Sequence, residues 1–488
     1  MQQPTVIVIG AGFGGLAVAH HLREAGVTDL TILERSDDVG GVWRDNTYPG
    51  AACDVPSVLY SWSFARKTDW SHRYARQPEI LDYIRDHAER SGLRDLVRTG
   101  ADVTAATWDD DAASWTVDLA TGEQLTADVL ISAVGQLSRP AVPRIPGLDD
   151  FAGPVFHSAT WDHDVDLAGK RVGVVGTGAS AIQFVPAIAG EVASLTVFQR
   201  SAPYVVPKPD GAYSARQQRR FARLPQLHHL TRRGVFHLSE QLNRTLDSDG
   251  RLAVVLRKAW QLNLRRHVKD AALRAKLVPD YPLGCKRLLF SNDWYPTLAQ
   301  PHVDVVTDEV AGVEPGGIRT ADGTLHELDV VILGTGFAAT EFLAPMRITG
   351  RAGRRLTDAW AGGARAHLGI TVPEFPGFYV LYGPNTNLGG SSIIGMLEAQ
   401  AGYVVRAVLE SAARRAPLVV RADRAAAYDE EMQRRLDASV WSSCTSWYRE
   451  PGGRITTNWP GTVAEYQRRT AAFTADDFEV VGAEVAGR

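Results

Sequence analysis

The sequence predicts an α/β protein that contains two Rossmann-type parallel sheets and a helical insertion. Three observations lead to this fold class. A glycine-rich turn, GAGFGG over residues 10–15, joins an apolar strand to a helix near the N-terminus. A second such turn, GTGAS over residues 176–180, restarts the same pattern after a proline-rich stretch. Residues 211–280 are rich in arginine and have helical character, so they form an insertion between two strand-forming regions.

The first unit begins with a buried strand over 5–10, followed by a helix over 15–26. A second strand over 29–33 ends at Glu34, which completes a β-α-β unit. A further strand over 127–134 belongs to the same sheet.

The second unit follows a bridge over 139–147, RPAVPRIPG, whose prolines indicate an extended boundary between domains. Its predicted elements are a strand over 171–176, a helix over 178–190, and strands over 194–199 and 329–334. Beyond residue 336 we expect a GPNTNLGG loop over 383–390 and helices over 391–415 and 423–438.

Composition excludes several classes of protein. The 488 residues include 52 Lys and Arg against 56 Asp and Glu, so the chain is not a general polyanion binder and no nucleic-acid partner is expected. No apolar run is long enough to span a membrane. The three cysteines, Cys53, Cys285 and Cys444, are too few and too scattered for a disulfide framework or a CxxC pair. We therefore expect a reducing, cytoplasmic location, no disulfide reductase chemistry and no metal site.

The first glycine motif has the GxGxxG spacing, with Gly10, Gly12 and Gly15. Gly10 permits the tight turn, Gly12 lets the backbone approach a pyrophosphate, and Gly15 lets the helix pack closely on the sheet. Glu34 follows Gly15 by the interval at which a carboxylate binds ribose hydroxyls. Because a carboxylate repels a 2′-phosphate, this site favours FAD or NAD over NADP.

The second motif has GxGxxA spacing, with Gly176, Gly178 and Ala181. Arg200 stands where the first unit has an acid, and its guanidinium suits the 2′-phosphate of NADP. FAD at the first site and NADPH at the second imply hydride transfer from nicotinamide to flavin. An oxidase, a reductase and an oxygenase all remain open at this point.

Two longer motifs narrow the choice. The stretch FAGPVFHSATWD follows the pattern FxGxxxHxxxWD, and GGVWRDNTYPGAACD over 40–54 follows GGxW…YPGxxxD. Both resemble the fingerprints of Baeyer–Villiger monooxygenases, and the resemblance covers nearly the whole chain. Related flavin monooxygenases that oxidise nitrogen and sulfur have an aromatic residue followed by Lys or Arg at the end of the first pattern. The fingerprint residues are Phe151, Gly153, His157, Trp161 and Asp162. In the linker between two nucleotide domains, His157 is expected to couple their motion.

The resemblance implies an FAD- and NADPH-dependent enzyme that inserts one atom of O2 beside a ketone carbonyl, through a flavin peroxide, giving an ester or lactone. It implies that Arg287 is the catalytic cation and Asp54 its carboxylate partner, with Lys286 at the 2′-phosphate. Arginine suits that role because it stays charged and can stabilise a peroxide anion. The GPNTNLGGSS and SWYREPGGR stretches are closer to the aryl-ketone branch of the family than to the cyclic-ketone branch.

The resemblance also implies two sets of cofactor contacts. The FAD set comprises Gly10, Gly12, Phe13, Gly15, Glu34, Gly41, Val42, Trp43, Asp54, Tyr60, Val103 and Ile393. The NADP set comprises Gln136, Gly176, Thr177, Gly178, Ala179, Ser180, Ala181, Gln183, Arg200, Ser201, Lys286, Arg287 and Trp447. For the apolar members, ordinary core packing is the competing interpretation.

The same resemblance implies a division of the chain into five ranges. They are an FAD-binding domain over 1–145, an NADP-binding domain over 146–210, the helical insertion over 211–280, the rest of the NADP-binding domain over 281–334, and the rest of the FAD-binding domain with a covering tail over 335–488. Two alternatives stay open: a flavin monooxygenase acting on amines or sulfides, and a redox-sensing protein that binds both nucleotides without turnover.

Overall fold

The structure is a computed structural model that describes residues 3–246, 251–444, 446–450 and 452–481. The remaining residues of the first, third and fifth predicted ranges lie outside the described residues. The strands are β1 Val6–Ile9, β2 Leu30–Leu33, β3 Val97–Arg98, β4 Val103–Asp109, β5 Ser114–Leu119, β6 Gln124–Ala127, β7 Val129–Ser132, β8 Val155–His157, β9 Arg171–Val175, β10 Ser194–Phe198, β11 Val205–Val206, β12 Leu289–Phe290, β13 Val303–Val306, β14 Val310–Glu314, β15 Gly317–Thr320, β16 Leu325–Glu327, β17 Val330–Leu333, β18 Arg347–Thr349, β19 Phe378–Val380, β20 Leu418–Val420 and β21 Phe478–Val480.

The α-helices are distributed over the two sheet units and the insertion. They are α1 Phe13–Glu24, α2 Val42–Asp45, α3 Gln77–Arg90, α4 Ala181–Ile188, α5 Ala215–Arg223, α6 Pro225–Leu246, α7 Arg251–His267, α8 Ala271–Lys276, α9 Trp294–Leu298, α10 Leu356–Ala359, α11 Ile393–Arg414, α12 Ala422–Asp437 and α13 Val463–Thr470. None of the helices among the described residues combines the length and the apolarity that crossing a bilayer requires.

The first unit is a parallel sheet in the order β19-β7-β1-β2-β3. Its central strand β1 is buried along its whole length, as a strand covered on both faces must be. Helix α1 packs against the long helix α11, and their apolar side chains belong to the largest hydrophobic cluster among the described residues. The predicted α/β class is confirmed for this half of the chain.

The second unit repeats this arrangement in the order β13-β10-β9-β17-β8, again with all strands parallel. The strand that precedes the glycine motif is central in both units. The strand order therefore reverses beside each glycine motif, which is where open α/β sheets bind their ligands. The predicted strands over 171–176, 194–199 and 329–334 appear as β9, β10 and β17.

The two units are joined by two chain segments that run side by side. The proline-rich bridge pairs with the segment after β17 through an antiparallel bridge between Pro140 and Phe337. Ala141 N–H donates to the carbonyl of Gly336, and Ala338 N–H donates to the carbonyl of Arg139. The chain thus leaves the first unit and returns to it at one place.

The arginine-rich insertion is helical, as predicted, and consists of α5 to α8. Its helix α6 is tied to the rest of the protein by buried polar groups rather than being only a solvated surface. Arg232 donates to the carbonyls of Val58 and Ser61. The buried carboxylate of Glu240 accepts the first backbone N–H groups of α13, those of Val463 and Ala464. Glu240 therefore provides hydrogen-bond acceptors for the free N–H groups at the start of α13, although it lies more than 200 residues away in the chain.

Candidate active site

A cavity of about 1830 Å³ runs between the two parallel-sheet units. It is larger than the 300–1,000 Å³ of pockets that hold one small ligand. All the residues of the predicted FAD set except Gly15 line it, as do all those of the NADP set except Ala181. The two exceptions stand at the third position of their motifs, and for Gly15 the predicted role is packing of helix on strand.

Gly15 shows why the first motif needs glycine at that position. A Cβ atom built there would overlap the carbonyl oxygen of Gly10. Helix α1 can therefore start this close to the end of β1 only without a side chain at Gly15. Gly10 itself has a positive φ of 103°, which an L-residue with a side chain rarely adopts. The turn aims the N-terminus of α1 into the cavity, where its free N–H groups can bind phosphate.

Glu34 is buried at the carboxyl end of β2 and lines the cavity. Its carboxylate accepts the N–H groups of Ala11 and Ser36, at 2.9 and 3.0 Å. Arg44 Nη1 lies 3.1 Å from its second oxygen. These contacts fix the orientation of the carboxylate toward the place where the ribose of a dinucleotide would lie.

Aromatic side chains form one wall of the first half of the cavity. Trp43 Nε1 donates to the hydroxyl of Tyr60 at 3.0 Å, and Phe13 packs edge-on against the Tyr60 ring. Val103 and Ile393 lie on the same cavity at separate places in the chain. This wall offers flat apolar contact of the kind that an aromatic ring system needs.

Two cations lie at the second motif. Arg200 is exposed beside the cavity, and Lys286 Nζ donates to Ser201 Oγ at 2.8 Å. Lys286 also lies over the ring of Tyr281. Burial, together with the positive charge of Arg200, lowers the pKa of Lys286. An anion placed between these cations would relieve that repulsion, which fits a 2′-phosphate.

Gln183 has a role that the sequence did not reveal. Its side-chain oxygen accepts the N–H of Ala52 and the hydroxyl of Tyr48, and its amide nitrogen donates to the carbonyl of Ala52. Gln183 belongs to α4 of the second unit, whereas Tyr48 and Ala52 belong to the first. The residue therefore bonds the two units directly beside the cavity.

The predicted catalytic pair is assembled across the same boundary. Arg287 Nε donates to Asp54 Oδ2 at 3.0 Å, and Arg287 Nη2 lies 3.0 and 2.8 Å from Oδ1 and Oδ2. Both side chains are partly exposed to the cavity. The charge of Asp54 raises the pKa of Arg287 further above its already high usual value. Arg287 is thus a permanent, oriented cation.

Two tyrosines beside this pair were not predicted. Tyr448 is buried beside Arg287, whose positive charge acts on its hydroxyl. Tyr382 donates its hydroxyl to Asn387 Oδ1 at 2.8 Å and has a positive φ of 58°. The GPNTNLGG stretch marked this loop, but no feature of the sequence identified either tyrosine as a neighbour of Arg287.

Gln136, which the sequence predicts to contact the nicotinamide, is buried and lines the cavity. Its amide nitrogen donates to the carbonyls of Tyr382 and Gly383. Its oxygen has no partner among the described residues, although it is buried. A buried acceptor in that state calls for a donor, and the carboxamide of nicotinamide carries one.

The fingerprint residues do not line the cavity. A Cβ on Gly153 would overlap the carbonyl oxygen of Asp329, so this glycine allows β8 to approach β17. Trp161 packs against Phe156 and Phe184, and Phe151 is buried in the core beneath β17.

His157 and Asp162 complete the fingerprint. His157 Nδ1 accepts the N–H of Ala159, its ring packs against Phe337 of the returning segment, and burial lowers its pKa. Asp162 is exposed and accepts the N–H of Asp164 in a turn. His157 thus lies at the joint between the units, where the sequence placed it, and the structure gives it no contact with the cavity.

The cysteines form a bond that the sequence did not predict. Cys285 and Cys444 are joined by a disulfide, although three scattered cysteines had not indicated a disulfide framework. Their separation of 159 residues hid the pairing, since fold topology rather than spacing brings them together. Cys53 is free and buried, and burial raises the pKa of its thiol.

Trp447, three residues after Cys444, is 41% exposed and lines the cavity.

The described residues fit two dinucleotides. The first motif offers a helix N-terminus, an oriented carboxylate and an aromatic wall, which suit FAD. The second offers a helix N-terminus and two cations, which suit NADP. The unsatisfied oxygen of Gln136 lies on the cavity between them.

Comparison with known proteins agrees with this geometry. The family described as pyridine nucleotide-disulphide oxidoreductase matches residues 7–235. A Baeyer-Villiger monooxygenase of Streptomyces coelicolor is 44% identical over 481 residues, covering 98% of this chain and 92% of that protein.

Two solved structures are similar over nearly the whole chain. An oxidized steroid monooxygenase bound to NADP has a TM-score of 0.86 at 33% identity, with 98% of this chain and 100% of that chain covered. OTEMO in complex with FAD and NADP has a TM-score of 0.87 at 29% identity, with the same coverage. The chain therefore belongs to the Baeyer–Villiger monooxygenases, and it is an FAD- and NADPH-dependent flavin monooxygenase.

Proposed function

We propose that this protein uses NADPH and O2 to insert one oxygen atom beside a ketone carbonyl, giving an ester or lactone. The observation that carries the proposal is the Arg287–Asp54 pair, held across the cavity between the two dinucleotide motifs. Bound FAD, once reduced by NADPH, supplies the activated oxygen. The chain's own residues bind, orient and neutralise charge around it.

Arg287 acts as the cation that stabilises negative charge during oxygen transfer. Its pKa is raised by Asp54, and an arginine side chain stays protonated at physiological pH. As negative charge grows on the carbonyl oxygen of the ketone, a fixed guanidinium stabilises it without reorganisation. Asp54 holds the planar fork in that orientation and balances its charge in the resting state.

Arg200 and Lys286 select NADPH by binding its 2′-phosphate, and Gln136 orients the nicotinamide carboxamide through its unsatisfied oxygen. Trp43 and Tyr60 would hold the flavin ring along the wall that they form. Trp447 shields the reacting atoms from water, which limits loss of hydrogen peroxide to solvent.

This proposal extends to the domain limits and to the location. The FAD-binding domain comprises 1–145 and 335–488, and the NADP-binding domain comprises 146–210 and 281–334 around the insertion over 211–280. Support comes from the two sheets, whose strands fall within these limits. The cytoplasm is the proposed location because it supplies NADPH.

The test is product analysis by mass spectrometry with isotopically heavy molecular oxygen. The holoenzyme is incubated with NADPH and, separately, an aryl ketone, a cyclic ketone, a sulfide and an amine. We expect an ester or lactone that carries one heavy oxygen atom from at least one ketone. Oxidation of only the sulfide or the amine, with no ester from either ketone, would overturn the proposal.

A further inference from the structure

The disulfide between Cys285 and Cys444 is the most specific feature that the proposed function does not use. The two Cα atoms are 6.2 Å apart, within the usual range for a disulfide. Cys285 is fully buried, and Cys444 is half-buried. External reagents therefore reach the pair from the side of Cys444.

This bond joins two segments that both reach the cavity. Cys285 directly precedes Lys286 and Arg287, the two cations of the site. Cys444 follows α12 and precedes the segment 446–450, which carries Trp447 and Tyr448. One end belongs to the second unit and the other to the C-terminal part of the chain, so the bond crosses between them.

Contacts around the disulfide point the same way. The hydroxyl of Tyr448 lies beside Arg287, two residues after Cys285, and the two groups interact electrostatically. The Trp447 ring lies 4.2 Å from the Tyr448 ring, centroid to centroid. Tyr448 also belongs to a small core with Trp441 and Ile455. Holding Cys444 on Cys285 thus holds Tyr448 beside Arg287 and Trp447 beside the cavity.

We propose that Cys285 and Cys444 form a thiol–disulfide exchange site that sets how firmly the segment 446–450 is held against the NADP half of the cavity. In the cytoplasm, the location proposed above, disulfides are generally transient and serve catalysis or redox sensing. The bond between Cys285 and Cys444 suits such a role. It links the segment 446–450 to the residue directly before Lys286 and Arg287. The inference rests on the proposed positions of NADP and Trp447.

The two redox steps balance with reagents of known class. Opening takes two electrons and two protons from a dithiol: its thiolate attacks the Cys444 sulfur, and its second thiol then displaces Cys444, leaving two protein thiols and a cyclic disulfide. Closing uses hydrogen peroxide, which reduced flavin and oxygen release when no substrate is oxygenated. The Cys444 thiolate takes one oxygen atom to give a sulfenic acid and water, and Cys285 attacks that sulfur to release a second water. Cys53 takes no part because it is buried and its thiol stays protonated.

Opening the bond is expected to weaken retention of NADP. Without the cross-link, the segment 446–450 binds the second unit only through contacts such as that of Tyr448, so its effective concentration at the site falls. Ordering it again upon NADP binding then costs conformational entropy. FAD retention should not change, because among the described residues no hydrogen bond, ion pair or ring contact joins this segment to the first motif or to its aromatic wall.

The experiment compares three forms of the holoenzyme: peroxide-treated wild type, dithiothreitol-reduced wild type, and Cys444→Ser. Thiol titration in denaturant counts the cysteines that are free. Titration of the flavin spectrum with NADP⁺ gives its dissociation constant. Brief trypsin digestion with mass spectrometry gives the rate of cleavage after Arg449, which is exposed in this segment.

We expect one titratable thiol in the oxidised enzyme and three after reduction, with a linked Cys285–Cys444 peptide only in the former. Reduction should weaken NADP⁺ binding roughly fivefold or more and accelerate cleavage after Arg449 by a similar factor. Cys444→Ser should match the reduced enzyme and should not respond to dithiothreitol. Reduced wild type needs no substitution, so the test stands even if the variant folds poorly.

Two results would overturn the inference. One is three free thiols after treatment with peroxide. The other is a bond that opens and closes while NADP⁺ binding and cleavage after Arg449 stay within twofold of each other in both states. None of these readouts uses a ketone, so failure of the proposed oxygenation would appear separately, in product analysis.

Discussion

Arg287 and Asp54 meet across the boundary between the two parallel-sheet units, with the guanidinium donating to both oxygens of the carboxylate. The arginine comes from the unit with the second glycine motif, and the carboxylate from the unit with the first. The charged centre of the site is therefore complete only when the two units are correctly placed. Any change in their relative position alters the distance between these two charges.

Replacement of Arg287 by alanine is expected to separate flavin reduction from ester formation. The cation stabilises charge in oxygen transfer, whereas hydride transfer from NADPH does not require it. Ester formation should fall at least about 100-fold, in line with the loss of a preorganised charged donor. Residual NADPH use should appear as hydrogen peroxide, measured alongside the ester.

Arg287→Lys is the matched control for charge. It keeps the positive charge but lacks the planar fork that Asp54 holds, so we expect it to recover little activity. An Arg287→Ala enzyme that made ester at near the wild-type rate would remove Arg287 from the catalytic role.

Arg200→Ala should reduce the preference for NADPH over NADH. A charge-assisted contact contributes about 1.5–3 kcal/mol, so the Michaelis constant for NADPH should rise roughly tenfold or more while that for NADH changes little. Arg216→Ala is the control, because this arginine is exposed on α5 in the insertion. Equal changes for the two nucleotides would show that Arg200 does not bind the 2′-phosphate.

The affinity for NADP⁺ should also depend on pH through Lys286. Burial and Arg200 lower its pKa, so its charge is lost at a lower pH than that of an ordinary lysine. NADP⁺ binding should therefore weaken as the pH rises toward the usual lysine pKa of about 10.4, and binding at alkaline pH should take up protons. Lys286→Arg, which stays charged, should remove the alkaline decline. Calorimetric titration in buffers of different ionisation enthalpy would measure both effects.

Gly15→Ala should prevent retention of FAD. The added Cβ overlaps the carbonyl oxygen of Gly10, so the start of α1 must move away from β1. We expect a loss of roughly 1–3 kcal/mol in the free energy of unfolding from overpacking, with a colourless protein after gel filtration. Gly190→Ala is the control, since a Cβ there meets no atom within 4 Å. A yellow, normally stable Gly15→Ala protein would contradict the packing argument.

Acid should destabilise the protein through buried histidines, most clearly His87. Burial lowers its pKa to about 4, and it packs among Trp62, Phe64 and His20. The unfolded chain binds this proton near the ordinary histidine pKa of about 6.5, so the free energy of unfolding should fall as the pH drops below that value. Urea unfolding at several pH values should show a shallower decline for His87→Phe. His229→Phe, at an exposed position on α6 of the insertion, should leave the decline unchanged.

The sequence predicted the helices and strands that are encoded by short-range patterns of residues. The strand, glycine turn and helix of each unit are short-range patterns, so β1 with α1 and β9 with α4 follow directly from GxGxxG and GxGxxA. Arg200 could be predicted from its position in the second β-α-β unit, and Lys286 from the family resemblance. All of these lie within one β-α-β unit or within a family motif.

Contacts between distant segments could not be predicted in this way. Gln183 binds Ala52, Tyr448 lies beside Arg287, and Cys444 bonds to Cys285, each across more than 100 residues of chain. Their partners depend on how the two units face each other, which no local pattern encodes. The disulfide was missed for this reason, since counting cysteines says nothing about which of them become neighbours.

The adjacency of the two connecting segments, around Pro140 and Phe337, has a consequence for how this architecture can change. Everything from β8 to β17 leaves and re-enters the first sheet unit at one point, so it behaves topologically as a cassette inserted into a single loop. Exchanging that cassette for one from a relative would alter nucleotide preference while the flavin-side sheet stays unbroken. The new cassette would have to keep Arg287 and Gln183, because these residues bind Asp54 and Ala52, which lie outside the cassette.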